Sequence, residues 1–269
     1  MTLITMTREI ATLGKDVAAG LAERLGLEVV HHELVEHGIA ERTGIRESEV
    51  HHFLEGEASL MERWRIDRKK LSRYTAQEIL ELAVRGNVLI RGWGATYLLR
   101  SVPHAVSVRI CAPMPFRERE LMQRMGFTDP VAAQREIKGN DAAHNLTMQR
   151  MFGIDWMDAS LYAIVLNTDR VPVSVCIDQI TRLTESETYR ETPQSRAILM
   201  DQLIEARVRA ALGGLFDAGI TSSGIGVQVK DGKAVLSGAL SDEQLITDIV
   251  QRVHAVDGVI GVNPIGLFK

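Results

Sequence analysis

Thr2-Leu-Ile-Thr-Met-Thr-Arg-Glu-Ile-Ala-Thr-Leu-Gly14-Lys15-Asp16-Val17 decides the reading of the rest of the chain. Residues 2–6 are an apolar strand. A tight turn follows, and then Val17, Ala18, Leu21 and Leu25 recur on one helical face, with Gly26 as the stop. Strand, turn and helix in that order, with Gly14-Lys15 where the helix begins, make the frame of a phosphate-binding loop. Backbone N–H groups at a helix N-terminus favour an anion, and a lysine adds a point charge. The frame departs from the full pattern. Arg8, Ala11 and Leu13 stand where glycines would let amides wrap the phosphates. Asp16 and Val17 follow the lysine, where a hydroxyl would hold magnesium. A carboxylate at position 16 repels phosphates unless a metal intervenes.

Further along, Leu27–Val30, Val88–Ile90, Ala105–Ala112 and Tyr162–Leu166 read as short buried strands. Between them lie helical segments. These are Glu33–Thr43, Glu47–Leu54, a charged stretch through Arg63, Arg65 and Lys70 to Val84, Phe116–Met125, a segment from Pro130, and Val173–Leu183. Strands alternating with helices predict a parallel sheet covered on both faces. Residues 184–197 are polar, contain Pro193 and read as a linker between a first domain, 1–183, and a second, 198–269. In the second, Ile204, Val208 and Leu212 share a helical face that Gly213-Gly214 loosens. Asp231-Gly232 joins two alternating runs as a tight hairpin turn. Ser241 is placed to cap a helix through Leu245, Ile249 and Val253, and a strand from Val259 to Phe268 closes the order α-β-β-α-β.

Composition narrows the classes. The 269 residues are 45% hydrophobic and 25% charged with net charge −4, so no basic surplus points to nucleic acid or an anionic membrane. Cys111 and Cys176 lie in apolar surroundings, which fits a reduced compartment. No apolar run has the length of a membrane span, and the N-terminus lacks a signal pattern. The expectation is a cytoplasmic protein. His31, His32, His37, His51 and His52 invite a metal reading, but adjacent histidines on a helix point in different directions. No metal site of that kind is expected.

Thr5-Met-Thr-Arg-Glu with Gly14, Val88-Leu-Ile-Arg-Gly-Trp-Gly-Ala-Thr-Tyr-Leu-Leu99, Val108-Arg-Ile-Cys-Ala-Pro-Met-Pro-Phe-Arg117 and Met151-Phe-Gly-Ile-Asp-Trp through Asn167-Thr-Asp169 keep one order along residues 1–183. Together they resemble the cytidylate kinase-like family. That resemblance implies a nucleoside-monophosphate-kinase fold with a helical insert and a basic lid, ATP and Mg²⁺ as cofactors, and cytidylate as acceptor. It implies catalytic roles for Lys15, Arg117, Arg124 and Arg150, cofactor contacts for Arg8, Gly14, Lys15 and Asp16, and substrate contacts for Arg91 and Asp141. The chain departs from the family at the loop, at Trp93 with Arg91 displaced by one position, at His32, and at His144, which replaces an arginine. Val227-Gln-Val-Lys-Asp-Gly-Lys-Ala-Val-Leu-Ser-Gly238 and Val253-His-Ala-Val-Asp-Gly-Val-Ile-Gly-Val-Asn263 resemble a BON domain. This implies a module that binds a phospholipid or a small ligand, or serves assembly into an oligomer, without catalytic residues.

The expected architecture is α/β, a phosphate-loop parallel sheet flanked by helices, plus a small α+β (αββαβ) module. Two readings of the first domain's function stay open. One is an ATP-dependent nucleoside-monophosphate kinase with a degenerate loop. The other is a silent kinase-like nucleotide or anion sensor acting through the C-terminal module. A third makes that module the working part.

Overall fold

The computed structural model describes residues 1–30, 32–54, 68–92, 94–126, 128–217, 225–240 and 242–268. His31, Arg63, Arg65, Trp93 and Ser241, all singled out above, lie outside them. Five strands form the first sheet: β1 (Leu3–Arg8), β2 (Glu28–Val30), β3 (Val88–Arg91), β4 (Ala105–Cys111) and β5 (Ile164–Asn167). Their order is β2-β3-β1-β4-β5, and every pairing is parallel.

Both faces of this sheet are covered, which is why its strands read as near-continuous apolar runs. Leu3, Val88 and Ile90 point to one core, built with α2 (His32–Thr43), α3 (Glu47–Leu54), α4 (Arg68–Arg85) and α5 (Ala95–Leu98). Ile4, Met6 and Leu89 point to the other, built with α1 (Gly14–Leu25) and α8 (Val173–Glu185). Between β4 and β5 run α6 (Met114–Met125) and α7 (Pro130–Phe152), which share a small core of Leu121, Ala133 and Ile137. The loop after β1 thus opens at the carboxyl end of the central strand, where open α/β sheets place their ligands.

Residues 193–197 are not linker. They are the first turn of α9 (Pro193–Asp217). Thr192 and Ser195 cap this helix reciprocally, each side chain accepting the other's backbone N–H at 2.9–3.0 Å. Pro193 suits a first turn because its missing N–H would have no helical partner. Leu199, Leu203 and Ala206 bury one face of α9 in the first sheet's core. Ile204, Val208 and Leu212 bury another face in the second core.

That second core lies against a sheet of β6 (Gly226–Lys230), β7 (Lys233–Leu240) and β8 (Gly261–Phe268), with α10 (Glu243–His254). β6 and β7 pair antiparallel through a turn with positive φ at Asp231 and Gly232, while β8 runs parallel to β7. The helix cap expected at Ser241 is supplied by Asp242, whose carboxylate accepts from the amides of Gln244 and Leu245. Polar contacts reinforce the joint. The Asp201 carboxylate accepts the amides of Asp231 and Gly232 at 2.8 and 2.9 Å. Arg207 bridges Glu81 on α4 at 3.2 Å and Asp257 beyond α10 at 2.8 Å. No described helix is long and apolar enough to cross a membrane.

Because Leu199 is fully buried in the first core, Leu199→Ala should destabilise the sheet domain by about 2–5 kcal/mol. Denaturant unfolding followed by a probe in β1–β5 checks this, and an effect confined to the C-terminal sheet would contradict the shared helix.

Candidate phosphate-binding site

The loop from Glu9 to Leu13 keeps its shape without the glycines that shape normally uses. Ala11 and Leu13 both hold left-handed backbone, at φ 60° and 57°. This conformation costs an L-residue about 1–2 kcal/mol. Three bonds hold the loop there. Thr12 Oγ1 donates to Glu9 O at 2.7 Å, Thr168 Oγ1 donates to Thr12 O at 2.7 Å, and Arg117 Nε donates to Ile10 O at 2.8 Å. All of these occupy carbonyls. Among the described residues, the amides of Ala11 to Lys15 have no protein acceptor. Gly14 is needed for space, because a Cβ there would lie 2.8 Å from the Arg8 Cβ.

Outside the loop is a cleft of about 300 Å³, lined by Arg8, residues 10–15, Glu120, Leu121 and Arg124. Lys15 is exposed in it. Among the described residues it makes no ion pair, whereas Arg124 lies 3.0 Å from Asp16 and 3.3 Å from Glu120. The Asp16 charge therefore already has a counterion. That guanidinium lies across the mouth of the loop, held by two carboxylates.

Arg117, expected above to carry a catalytic role, lies buried under the loop. It is 4% exposed and donates to Asp141 in a two-pronged pair at 2.7 and 2.8 Å. Glu9 lies 3.4 Å away and also takes Arg109 at 2.6 Å. Arg109 Nη1 donates to Trp156 O at 3.0 Å, and its guanidinium lies 5.2 Å from the Trp156 ring. Arg109–Glu9–Arg117–Asp141 is thus a charge-balanced chain under the loop, and Asp141 serves there as a counterion to Arg117. Arg91 ends β3, beside Met6 and away from the cleft, and Arg150 is exposed near the end of α7. The structure brings Arg8, Gly14, Lys15, Asp16 and Arg124 together and leaves Arg91 and Arg150 outside. Glu9, Thr12, Thr168 and Glu120 were not singled out by the sequence. Arg109, a charge within an otherwise apolar strand, was the available signal.

His144 packs its ring 4.6 Å from that of Trp156. Burial, and then the charge of Arg8, push its pKa down to about 4 despite the opposing pull of Asp141. His144 therefore carries no charge at neutral pH. His51 and His37 pair with Glu36, Glu41 and Glu47. Among the described residues, no three His, Cys, Asp or Glu side chains converge as a metal cluster.

Residues 3–170 match the cytidylate kinase-like family. The chain belongs to that family. Residues 200–264 match the BON domain. Among solved structures, the chain is similar to an uncharacterized protein from Eubacterium ventriosum ATCC 27560, at 20% identity and TM-score 0.55, over 70% of this chain and 100% of that one. It also matches YorR protein from Bacillus subtilis in complex with phosphorylated GDP, at 13% identity and TM-score 0.42, covering 71% and 100%. A third match is shikimate kinase from Bacteroides thetaiotaomicron, at 13% identity and TM-score 0.41, covering 69% and 99%. No match is found among curated proteins. In this cytidylate kinase-like chain the loop after β1 leads directly into α1, and the charges around it are largely paired with one another.

Two measurements probe this arrangement. Leu13→Gly should raise stability by about 1 kcal/mol, since glycine adopts the left-handed backbone without a Cβ clash. An unchanged or lower denaturation midpoint would contradict the strained loop. His144 has a folded pKa of about 4 against about 6.5 unfolded. The unfolded chain therefore takes up the proton first, so stability is complete above pH 6.5 and declines as pH falls toward 4. Up to about 3 kcal/mol is lost over that window, and His144→Gln should flatten that part of the stability–pH curve.

Proposed function

We propose that this chain is an ATP-dependent phosphotransferase of the nucleoside-monophosphate-kinase type. The observation that carries the reading is the row of unpartnered amides from Ala11 to Lys15 at the start of α1, with exposed Lys15 beside them in the cleft. Such a row receives phosphate oxygens without rearrangement, and phosphoryl transfer depends mainly on positioning and charge neutralisation. Lys15 and the loop amides hold the donor phosphates. Arg8 and Arg124 supply further positive charge at the rim, Arg124 after release from Asp16. Arg117 acts only by fixing the loop.

The donor set suits magnesium. Glu120 lines the cleft and Asp16 lies beside it, 3.0 Å from the Arg124 that also lines it, and Mg²⁺ is commonly held by one or two carboxylates plus substrate phosphates. Asp16 would hold the ion, which when bound neutralises charge on the phosphates. Cytidylate is the acceptor that the family suggests, and the BON-like part binds a phospholipid or a small ligand. Both are parts of this proposal, as is a cytoplasmic location.

A second reading, a silent nucleotide sensor, is favoured by one observation. The charges that would neutralise a transferring phosphoryl group are engaged or missing, with Arg117 buried on Asp141, Arg124 paired to Asp16 and His144 neutral. Calorimetry with ATP, with and without Mg²⁺ and CMP, separates the cases when joined to a turnover assay. Lys15→Ala should weaken ATP binding at least tenfold, and Asp16→Asn should strengthen Mg²⁺-free binding while removing its Mg²⁺ dependence. Binding without turnover on any monophosphate would favour the sensor. No binding at millimolar ATP would overturn both.

A further inference from the structure

The joint between the first domain and α9 holds a buried histidine that phosphoryl transfer does not use. His104 immediately precedes β4 and is 1% exposed. Neither of its ring nitrogens has a hydrogen-bond partner among the described residues. A neutral imidazole carries one donor and one acceptor, and burying both unmet is costly. Burying the charged form there costs more.

The start of α9 lies over this region. Val102, two residues before His104, shares a core with Leu99, with Val84 of α4 and with Leu199 and Leu203 of α9. The charged groups that act on His104 come from three places. They are Glu191 on the segment leading into α9, Arg196 on the first turn of α9, and the Met1 amine. Glu191 is already engaged, taking the Met1 amine at 3.0 Å and Arg196 at 3.3 Å. Arg196 also donates to Val84 O on α4 at 3.3 Å. One engaged carboxylate and two cations therefore face the ring. Burial holds the His104 pKa below the ordinary histidine value, with Glu191 opposing and the Met1 amine and Arg196 adding to it. A protonated ring finds no open carboxylate in this pocket, so it is best accommodated in contact with water.

We propose that His104 is an acid-sensitive latch on the N-terminal half of α9. Neutral, it lets the helix close over it; protonated, it loosens the helix from the first domain. The open state takes up the proton near the ordinary value of 6.5, and the closed state only at lower pH. Closure is therefore complete well above pH 6.5 and weakens as the pH falls below it. Because α9 also carries Ile204, Val208 and Leu212 of the second core, the C-terminal sheet is held to the first domain less firmly once the latch opens.

The test follows amide hydrogen exchange in the full chain at pH 7.5 and 5.5, corrected for the intrinsic pH dependence of exchange. In wild type, protection of residues 197–206 should fall about threefold or more at the lower pH while that of β1 holds. His104→Gln, which cannot take the proton, should show no such fall, and His144→Gln should keep it. Unchanged protection in wild type, an equal fall in β1, loss of the effect in His144→Gln, or the same fall in His104→Gln overturns the proposal. Titration of the His104 ring by NMR in wild type guards against a variant that fails to fold. Its midpoint should lie below that of an unfolded histidine and coincide with the loosening of α9. A ring that stays neutral while α9 loosens also overturns the latch.

Discussion

The chain Arg109–Glu9–Arg117–Asp141 is the interaction on which the loop depends. Glu9 follows directly on the central strand, and its carboxylate meets guanidinium groups from β4 and α6. It also accepts the Ala112 amide at 3.3 Å. With Glu9, Arg109 and Arg117 all under 8% exposed, the cost of desolvation is offset only because each charge is paired and hydrogen-bonded. Such a chain does not simply add stability. It fixes where α6 and α7 sit relative to β1, and so fixes the mouth of the cleft.

That anchoring explains how a loop lacking glycines at positions 11 and 13 still holds left-handed backbone at both. Strained left-handed backbone persists only where surrounding structure determines it. Here a hydroxyl of Thr168 and the guanidinium of Arg117 hold the loop carbonyls from beneath. The same anchoring consumes charge. Arg117, bonded to Ile10 O and Asp141, is the strut of the loop. The cleft is left with Lys15 and a rim where Arg124 answers Asp16 and Glu120.

The long helix α9 turns two sequence domains into neighbours with a common beam. Residues three to four apart share a face, so the adjacent Leu203 and Ile204 fall into different cores. Arg207 and Asp201 then tie the helix to both sides with charged hydrogen bonds.

Much of this was legible in the sequence. Apolar runs separated by helical periodicity gave the parallel sheet, Gly14-Lys15 marked the loop, and Asp231-Gly232 marked the hairpin. Each is a local signal, set by backbone preference and burial pattern within a few residues. The roles of the arginines were not legible. Arg117 and Arg124 are seven residues apart on one helix, yet one is 4% exposed on Asp141 and the other lies half-exposed over Asp16. The polar stretch before Ser195 likewise reads as linker until Thr192 and Ser195 are seen capping a helix. The sequence by itself determined the elements, their order and the place of the loop. Only the tertiary structure decided which charges meet, because the partners of an arginine lie tens of residues away and a pair's strength depends on the burial that packing creates.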